Sequence, residues 1–391
     1  MKQIIETWLF HALDSLFFRE SRPMDSIGNA ELNSVFPPSA RTLIGAIRAG
    51  LGESNHINWQ EYRRDKEGHR LNSLLGYGDD FENLSFSGVW IHKNQQRLYP
   101  VPYNIVQKVI DKNIQLFFLS IDKKLTQCDL GNIRLATLKR QNKHQKIKPK
   151  ILHNVWLTDT AFEQVLNGTL IDPNSLIFMS DLLVREPRIG IAINTQKRAV
   201  EQGKLYQTQH IRLYDDTQLA MDISYKNKGD WNTNPPPFLR LGGEGRIASI
   251  ELSSIQHKLT APNADPSDQG IILYLLTPML IENNCFDKNK DWQPLPQFCK
   301  THQDKQTVWQ GELHNISLTL HSAVAGKMHR EGGWDLLKHR PRPVKSYTPA
   351  GSAFYCTVEG NLETAIQTLH GKHIGAEQPL GRGQLAVGRW I

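Results

Sequence analysis

The residues best suited to bind a ligand lie in one short segment, 239–247, which reads LRLGGEGRI. It places Gly242, Gly243 and Gly245 beside Arg246. Because glycine has no Cβ, backbone amides in such a segment can approach an anion closely, and together with a guanidinium they can bind a phosphate. Glycines at this spacing also suit a tight turn between two strands. Both interpretations stay open on the segment alone.

Positive charge is concentrated in two other segments of the sequence. The 391 residues include 46 Lys and Arg against 39 Asp and Glu, a net charge of +7. Residues 137–150 hold six Lys or Arg and no acid, and residues 325–345 hold six against two acids. Basic patches on a nearly neutral chain favour a polyanionic partner. A solvated loop is the alternative interpretation of each patch.

Side chains for RNA cleavage are present by type but not by arrangement. His11, His210 and His329 could act as the general base or acid when an RNA 2′-hydroxyl attacks the adjacent phosphate without a metal. No motif places any of them beside a nucleophile. The sequence also contains no GxxxxGK[ST] segment, the motif that binds a nucleoside triphosphate. The sequence therefore predicts a protein that is not an enzyme.

Candidate metal ligands are equally incomplete. Asp79–Asp80 and Asp215–Asp216 are adjacent pairs, and neighbours on a strand point to opposite faces, which does not suit a two-metal site. Cys285, Cys299 and His302 offer three zinc ligands without a fourth at a suitable spacing. We predict no metal and no other cofactor.

Composition places the chain among cytoplasmic globular proteins. No run approaches 18 apolar residues, which predicts no membrane partner. Glu6, His11 and Asp14 interrupt the apolar N-terminal stretch, so it does not resemble a signal peptide. Four cysteines do not make a disulfide framework in a chain of this length and favour a reducing compartment.

Residue periodicity predicts the elements of the N-terminal half. A strand is expected at 4–10, a polar loop at 19–34 and then a helix with Ser39 as its N-cap and Gly50 or Gly52 at its end. Spacings of three and four put one set of apolar residues on a single helical face: Ala40, Leu43, Ile44, Ile47 and Leu51.

A hairpin is expected further along the same half. Its strands are predicted at 188–195 and 204–213, joined by an eight-residue connection that carries Lys197 and Arg198. A strand at 247–252 is expected to follow the glycine segment.

The C-terminal half offers several strands and one capped helix. A linker is expected at 261–270, and a buried strand begins in GIILYLLTPMLI. Strands are also expected in NISLTLHSAVAG, GSAFYCTVEG and after PLGRGQ, and NLETAIQTLHGK predicts a helix capped by Asn361. No helix is evident in 278–300. The order still fits an α+β fold of two ferredoxin-like (β-α-β-β-α-β) domains, at 1–260 and 266–391.

Several motifs occur in an order that resembles one family. They are DSLFFRESRP, FPPSARTLIGAIRAGL, EPRIGIAINTQKRAVEQGKLYQ, LGGEGR, the GGWD to KHRPRPVKSYTPAGSAF segment and PLGRGQLAVGRW. Together they resemble the RAMP-superfamily subunit of type III-B CRISPR (Cmr) effector complexes that holds the 5′ tag of the CRISPR RNA. The resemblance implies two ferredoxin-like (RRM-like) domains with long insertions and glycine-rich loops. Residues 137–150 and the length of 51–185 go beyond the family pattern.

The resemblance also implies partners and an RNA path. The partners are the CRISPR RNA with its 5′ tag, the large polymerase-like effector subunit and the adjacent backbone RAMP subunit, with target RNA nearby. The path follows the loop after the first strand, the start of the first helix, the hairpin and the glycine loops. At those positions this sequence has Arg19, Arg22, Arg41, Lys197, Arg198, Gly242, Gly243, Gly245, Arg246, Lys327, Arg330, Lys338, Arg340, Arg342 and Arg382. Trp334 and Tyr347, the aromatic residues near this path, are expected to pack in the core.

The sequence therefore predicts a non-catalytic subunit that binds CRISPR RNA and helps to assemble an antiviral ribonucleoprotein. Cationic side chains would neutralise phosphates, and bare backbone would allow close approach. The first alternative is a metal-independent endoribonuclease that processes CRISPR precursor RNA. The second is a protein-only scaffold whose glycine loops contact a neighbouring subunit.

Overall fold

The computed structural model describes residues 4–20, 31–65, 68–110, 113–138, 149–194, 199–227, 229–253, 255–282, 292–335 and 339–391. Its strands are mostly antiparallel and its helices few among these residues, so the α+β class is confirmed, with β-structure predominating. No helix within this described part is both long and apolar enough to cross a membrane.

The described residues contain five α-helices and many short strands. The helices are α1 Ala40–Ser54, α2 Trp59–Arg64, α3 Asn72–Leu75, α4 Asp159–Leu166 and α5 Leu362–Leu369. The strands are β1 Ile4–Ala12, β2 Glu31–Leu32, β3 Leu84–Phe86, β4 Trp90–Lys93, β5 Gln96–Pro100, β6 Ile105–Ile110, β7 Asn113–Phe118, β8 Ser120–Cys128, β9 Gly131–Thr137, β10 Lys150–Ile151, β11 Val155–Thr158, β12 Ile177–Phe178, β13 Leu183–Asn194, β14 Ala199–Leu213, β15 Thr217–Tyr225, β16 Phe238–Arg240, β17 Ile247–Ser253, β18 Gly270–Leu275, β19 Cys299–Gln303, β20 Gln306–Leu313, β21 Ile316–Val324, β22 His329–Glu331, β23 Trp334–Asp335, β24 Arg340–Pro341, β25 Lys345–Tyr347, β26 Ala353–Val358 and β27 Leu385–Trp390.

The chain divides into two compact units, each made of three segments. Unit 1 comprises Met1–Gln95, Met179–Gln256 and Arg330–Lys345, and unit 2 comprises Gln96–Phe178, His257–His329 and Ser346–Ile391. The junction near 256 lies close to the predicted boundary at 260. The prediction assigned 96–178 to the first domain and 330–345 to the second, because sequence order does not reveal which distant strands pair.

Unit 1 is built on an antiparallel sheet with the order β4–β15–β1–β17–β16. The predicted first strand is confirmed as β1, which extends two residues beyond the prediction. Trp8 and Phe10 of β1 are fully buried, since this strand lies in the middle of the sheet. A second sheet of unit 1 has the order β13–β14–β2, in which β2 runs parallel to β14.

Helix α1 buries the apolar face that its sequence predicts. All five residues of that face are buried. Ser39 occupies the predicted N-cap position, but its hydroxyl makes no capping hydrogen bond and donates instead to Glu331 Oε2 at 2.8 Å. The predicted end is wrong, because the helix continues past Gly50 and Gly52 to Ser54. Both glycines are buried helical residues, and Leu239 and Trp59 pack closely over them.

The hairpin is longer than predicted and its connection is shorter. β13 and β14 pair from Leu183 opposite Leu213 as far as Asn194 opposite Ala199, with an irregularity between Ile191 and Ile193. The side chain of Ile189 is 73% exposed. Hydrophobic alternation underestimates such strands, because a strand segment whose side chains are exposed does not need a clean apolar face. The predicted Lys197 and Arg198 lie outside the described residues.

Unit 2 contains a six-stranded antiparallel sheet with the order β19–β20–β21–β26–β18–β27. The predicted strand β18 is buried along its whole length. Helix α5 adds Ile366 and Leu369 to the core of this sheet, and the predicted cap is confirmed, since Asn361 Oδ1 accepts from the Thr364 amide at 2.8 Å. In the described parts of 278–300 no helix is present.

Gly45 provides a test of the packing of α1. It is an exposed helical residue, and a Cβ built there meets no atom within 4 Å. We expect Gly45→Ala to raise the free energy of unfolding by about 0.5–1 kcal/mol, because alanine restricts the unfolded chain and costs nothing in the helix. Urea denaturation measures the change. Ile47→Ala is the matched core variant and should lower stability by about 2–5 kcal/mol; a loss of stability in Gly45→Ala would contradict this packing of α1.

Candidate nucleic-acid interface

The glycine loop comprises residues 241–246 and joins β16 to β17. Its inner half, which contains Gly242 and Gly243, packs against the chain that follows β1. The Leu241 amide donates to the Arg246 carbonyl at 2.8 Å, and the Gly243 amide donates to the Phe17 carbonyl at 2.8 Å. Gly242 has a φ of +80°, and a Cβ there would overlap the Phe17 carbonyl oxygen. Gly242 and Gly243 are therefore residues of a structural turn.

The outer half of the loop faces solvent. Gly245 has a φ of +64°, and a Cβ there would meet nothing within 4 Å. Glu244 also has a left-handed backbone, with a φ of +56°. Both are exposed, and no described residue accepts a hydrogen bond from either amide. The outer half is the part of the loop where backbone amides can approach an anion.

Beside this loop lies a group of five charged residues, which we name the Asp14 cluster: Asp14, Glu186, Arg188, Arg212 and Arg246. Arg246 Nη1 lies 3.0 Å from Asp14 Oδ2, and Arg212 Nη2 lies 2.6 Å from Asp14 Oδ1. Arg188 Nη2 lies 3.5 Å from Asp14 Oδ2 and 3.2 Å from Glu186 Oε2. Glu186 also pairs with Arg212. Three guanidiniums and two carboxylates leave one net positive charge.

The β13–β14 hairpin places most of this cluster on one face. Glu186 is opposite His210 in the ladder, and Arg188 is opposite Thr208. Alternate residues of a strand share a face, so Glu186, Arg188, His210 and Arg212 lie on the same side. The sequence analysis missed Arg188 and Arg212. In EPR (186–188) and HIR (210–212) the first and third residues of a strand share a face, and this alternation could have indicated that both arginines lie beside Glu186.

The carboxylates of the cluster stay ionised at neutral pH. Hydrogen bonds from Arg212, helped by Arg188, lower the pKa of Glu186. Arg212 is also the main cause that lowers the pKa of Asp14. The pKa of Arg212 is raised in turn by hydrogen bonds to Glu186 and Asp14. The cluster therefore keeps its net positive charge across the neutral range.

His210 lies buried next to the cluster, with 2% of its surface exposed. Its ring stacks on Phe17 at a centroid distance of 5.1 Å, and its Nδ1 is 3.2 Å from the Ser15 hydroxyl. Burial, with Arg246 and Arg188 nearby, lowers the pKa of His210. The imidazole is therefore neutral at neutral pH and packs against the chain that follows β1. His11 Nε2, in turn, lies 3.1 Å from Glu251 Oε2.

A second set of predicted arginines meets around Asp79, also in unit 1. Arg41 Nη1 is 2.5 Å from Asp79 Oδ1, and Arg342 Nη1 is 3.1 Å from Asp79 Oδ2. Burial acts to raise the pKa of Asp79, but the two arginines outweigh it and lower that pKa. Arg342 Nη2 also lies 3.7 Å from Asp335 Oδ2. These ion pairs join the start of α1 to the segment 330–345.

The remaining predicted residues are dispersed. Arg19 is exposed, and its backbone forms a β-bridge with Ser34. Arg330 and Arg340 are exposed residues of unit 1. Lys327 is an exposed residue of unit 2. Arg382 is 3% exposed, and its guanidinium lies 4.7 Å from the centroid of the Tyr347 ring. Arg22 and Lys338 lie outside the described residues, as do Lys197 and Arg198.

Two further sequence-based expectations concern aromatic residues and metal ligands. Tyr347 is buried as predicted. Trp334 is 56% exposed, because it lies in the two-stranded β23–β24 ribbon, in which both residues of β24 are also exposed. Cys299 and His302 lie three residues apart on β19 and so point to opposite faces. Cys285 lies outside the described residues, and none of the described His, Cys, Asp and Glu residues form a group of three that could hold a metal.

Comparison with known proteins identifies the family. The family model described as CRISPR-associated protein (Cas_Cmr3) matches residues 8–390. The chain belongs to this family. The resemblance to a subunit of the type III-B Cmr effector complex is thereby confirmed. Among curated proteins, none gives a match to this sequence.

Solved structures show more distant similarity. One is the type III-B Cmr-beta complex bound to cognate target RNA and AMPPnP, with 15% identity, 89% of this chain and 85% of that chain covered, and a TM-score of 0.48. Another is a Csm3–Csm4 subcomplex of the type III-A interference complex, with 10% identity, 92% and 94% covered, and a TM-score of 0.39. The family assignment rests on the family model.

The two halves of the glycine loop should respond differently to substitution. Gly242→Ala adds a left-handed alanine, at about 1–2 kcal/mol, and forces the loop away from Phe17, so we expect a total loss of at least about 2 kcal/mol. Gly245→Ala should cost only about 1 kcal/mol, because its Cβ enters open space. Chemical denaturation of both variants measures the difference. Equal losses would show that the Phe17 contact is unimportant.

Proposed function

We propose that this chain is the non-catalytic subunit of a type III-B effector that binds the 5′ tag of the CRISPR RNA. In this proposal it also connects the large polymerase-like subunit to the adjacent backbone RAMP subunit, close to the target RNA, in cytoplasmic antiviral defence. Membership of the Cas_Cmr3 family supports the complex. The observation that carries the RNA-binding role is the Asp14 cluster, where Arg246, Arg188 and Arg212 gather beside the exposed half of the glycine loop.

The strand order of each unit supports the proposed ferredoxin-like domains. In unit 1 the order β4–β15–β1–β17 places the second, third, first and fourth strands of a β-α-β-β-α-β motif side by side, with α1 after the first strand. In unit 2 the order β21–β26–β18–β27 repeats this arrangement, with α5 before the fourth strand. Neighbouring strands are antiparallel in both cases.

The charge pattern of unit 1 suits a single RNA strand. Its exposed and half-exposed arginines can neutralise phosphates, which dominate the affinity for any nucleic acid. The exposed Trp334 and Arg340 share the β23–β24 ribbon and could supply a flat surface for a base. We therefore include this ribbon in the proposed RNA path together with Arg19, Arg41, Arg330 and Arg342.

The salt dependence of RNA binding tests the Asp14 cluster. For a single strand, log affinity falls with log salt concentration by about 0.7 per phosphate neutralised. We expect the double variant Arg188→Gln and Arg246→Gln to lower that slope by about 0.7, the value for losing the one phosphate that the cluster would hold. Fluorescence anisotropy with a labelled single-stranded RNA at several salt concentrations measures it.

Two exposed arginines of α2 provide the matched control. Arg63 and Arg64 lie in unit 1 outside the proposed path. Replacing both with Gln removes the same charge, and we expect this variant to keep the slope of the unmodified protein. Equal slopes for both double variants would refute a phosphate-binding role for the cluster.

The proposal that the subunit is not catalytic has a direct test. His210 is buried away from an incoming RNA 2′-hydroxyl, and the Nε2 of His11 is paired with Glu251. We expect no products with 2′,3′-cyclic phosphate ends after incubation with precursor RNA and no metal. Cleavage that a single change such as His329→Ala abolishes would favour the endoribonuclease instead.

A further inference from the structure

We infer that Asp14 is an intramolecular stand-in for an RNA phosphate. Its carboxylate occupies the position among Arg188, Arg212 and Arg246 that a phosphate of the bound strand takes, so binding requires Asp14 to leave. This inference rests on the proposed function and concerns the regulation of that same site. It assigns Arg188, Arg212 and Arg246 to one and the same phosphate.

The geometry around Asp14 resembles that of a bound oxyanion. Oδ1 pairs with Arg212 at 2.6 Å, while Oδ2 pairs with Arg246 at 3.0 Å and lies 3.5 Å from Arg188. Guanidinium groups bind carboxylates and phosphates with the same planar arrangement of donors. A site that holds one carboxylate with three guanidiniums therefore has the donors for a phosphodiester oxygen.

The carboxylate that can move away from the three arginines is that of Asp14, and not that of Glu186. Asp14 lies in the bend directly after β1, and its side chain is 48% exposed. Glu186 lies within β13, with 28% of its side chain exposed, and its position is held by the ladder. If Asp14 rotates away, Glu186 still orients Arg188 and Arg212. Arg246, whose ion-pair partner among the described residues is Asp14, is then released to the ligand.

The exchange has a consequence for selectivity. With Asp14 in place the cluster carries one net positive charge, and with Asp14 displaced it carries two. A ligand must therefore compete with a carboxylate that is already held in place. Weakly bound anions are rejected by this competition, while an RNA that makes further contacts elsewhere can displace Asp14.

The test is the affinity of Asp14→Asn for a labelled single-stranded RNA, measured by fluorescence anisotropy at fixed salt. The amide removes the competing charge and keeps the size of the side chain. We expect binding about three- to fivefold tighter than that of the unmodified protein, the upper part of the range set by exposed ion pairs. Asp230→Asn is the matched control, because Asp230 is exposed and pairs with no residue that the structure describes. It makes the same change in net charge and should alter the affinity less than twofold.

A coupling measurement shows whether the effect acts through the arginines. In an Arg246→Gln background, Asp14→Asn should lose most of its effect, because the competition involves that guanidinium. In an Arg64→Gln background the full effect should remain. Thermal unfolding of each variant checks that it folds, and Asp14→Ser serves as a second variant if the asparagine does not.

Each result is decisive for one of the two proposals. Tighter binding by Asp14→Asn, with a small effect of Asp230→Asn, supports the inference. Unchanged or weaker binding overturns it and leaves the proposed function intact, since the acid would then only position the arginines. If the unmodified chain binds no single-stranded RNA, the proposed function fails first.

Discussion

The contact of Gly242 with the Phe17 backbone is the constraint on which the candidate site depends. The loop can lie this close only because residue 242 has no Cβ and adopts a left-handed backbone, with a φ of +80°. The Gly243 amide then donates to the Phe17 carbonyl, which joins the loop to the chain after β1. That same stretch of chain carries Asp14, so the contact also brings Arg246 to its ion-pair partner.

Charge balance is the second requirement of the site. Three guanidiniums cannot lie this close together without acids between them, and Asp14 and Glu186 supply two negative charges. The buried His210 would add a further positive charge if it were protonated, but burial and the nearby arginines lower its pKa and keep it neutral. The cluster is therefore preorganised at neutral pH, and its exposed position makes it sensitive to screening by salt.

Much of the local structure could be predicted from single segments. The apolar faces of α1 and α5, the Asn361 cap and the buried strand β18 follow from spacing and residue type, because each depends on neighbours within a few residues. Predictions that depended on distant contacts were less accurate. The Ser39 hydroxyl donates to Glu331, which lies 292 residues away in the chain. The guanidinium of Arg382 is buried against the Tyr347 ring. Local residue patterns carry no information about such partners.

By itself, the sequence determined the secondary structure of the periodic segments, the presence of flexible glycine turns and, through ordered motifs, the family. Only the tertiary structure decided which half of the glycine loop is packed and which is open, and that Arg188 and Arg212 join Arg246 around Asp14. The reason is physical: hydrophobic periodicity and turn preference act over a few residues. An ion-pair cluster depends instead on strand register and on the close approach of segments that lie almost two hundred residues or more apart in the chain.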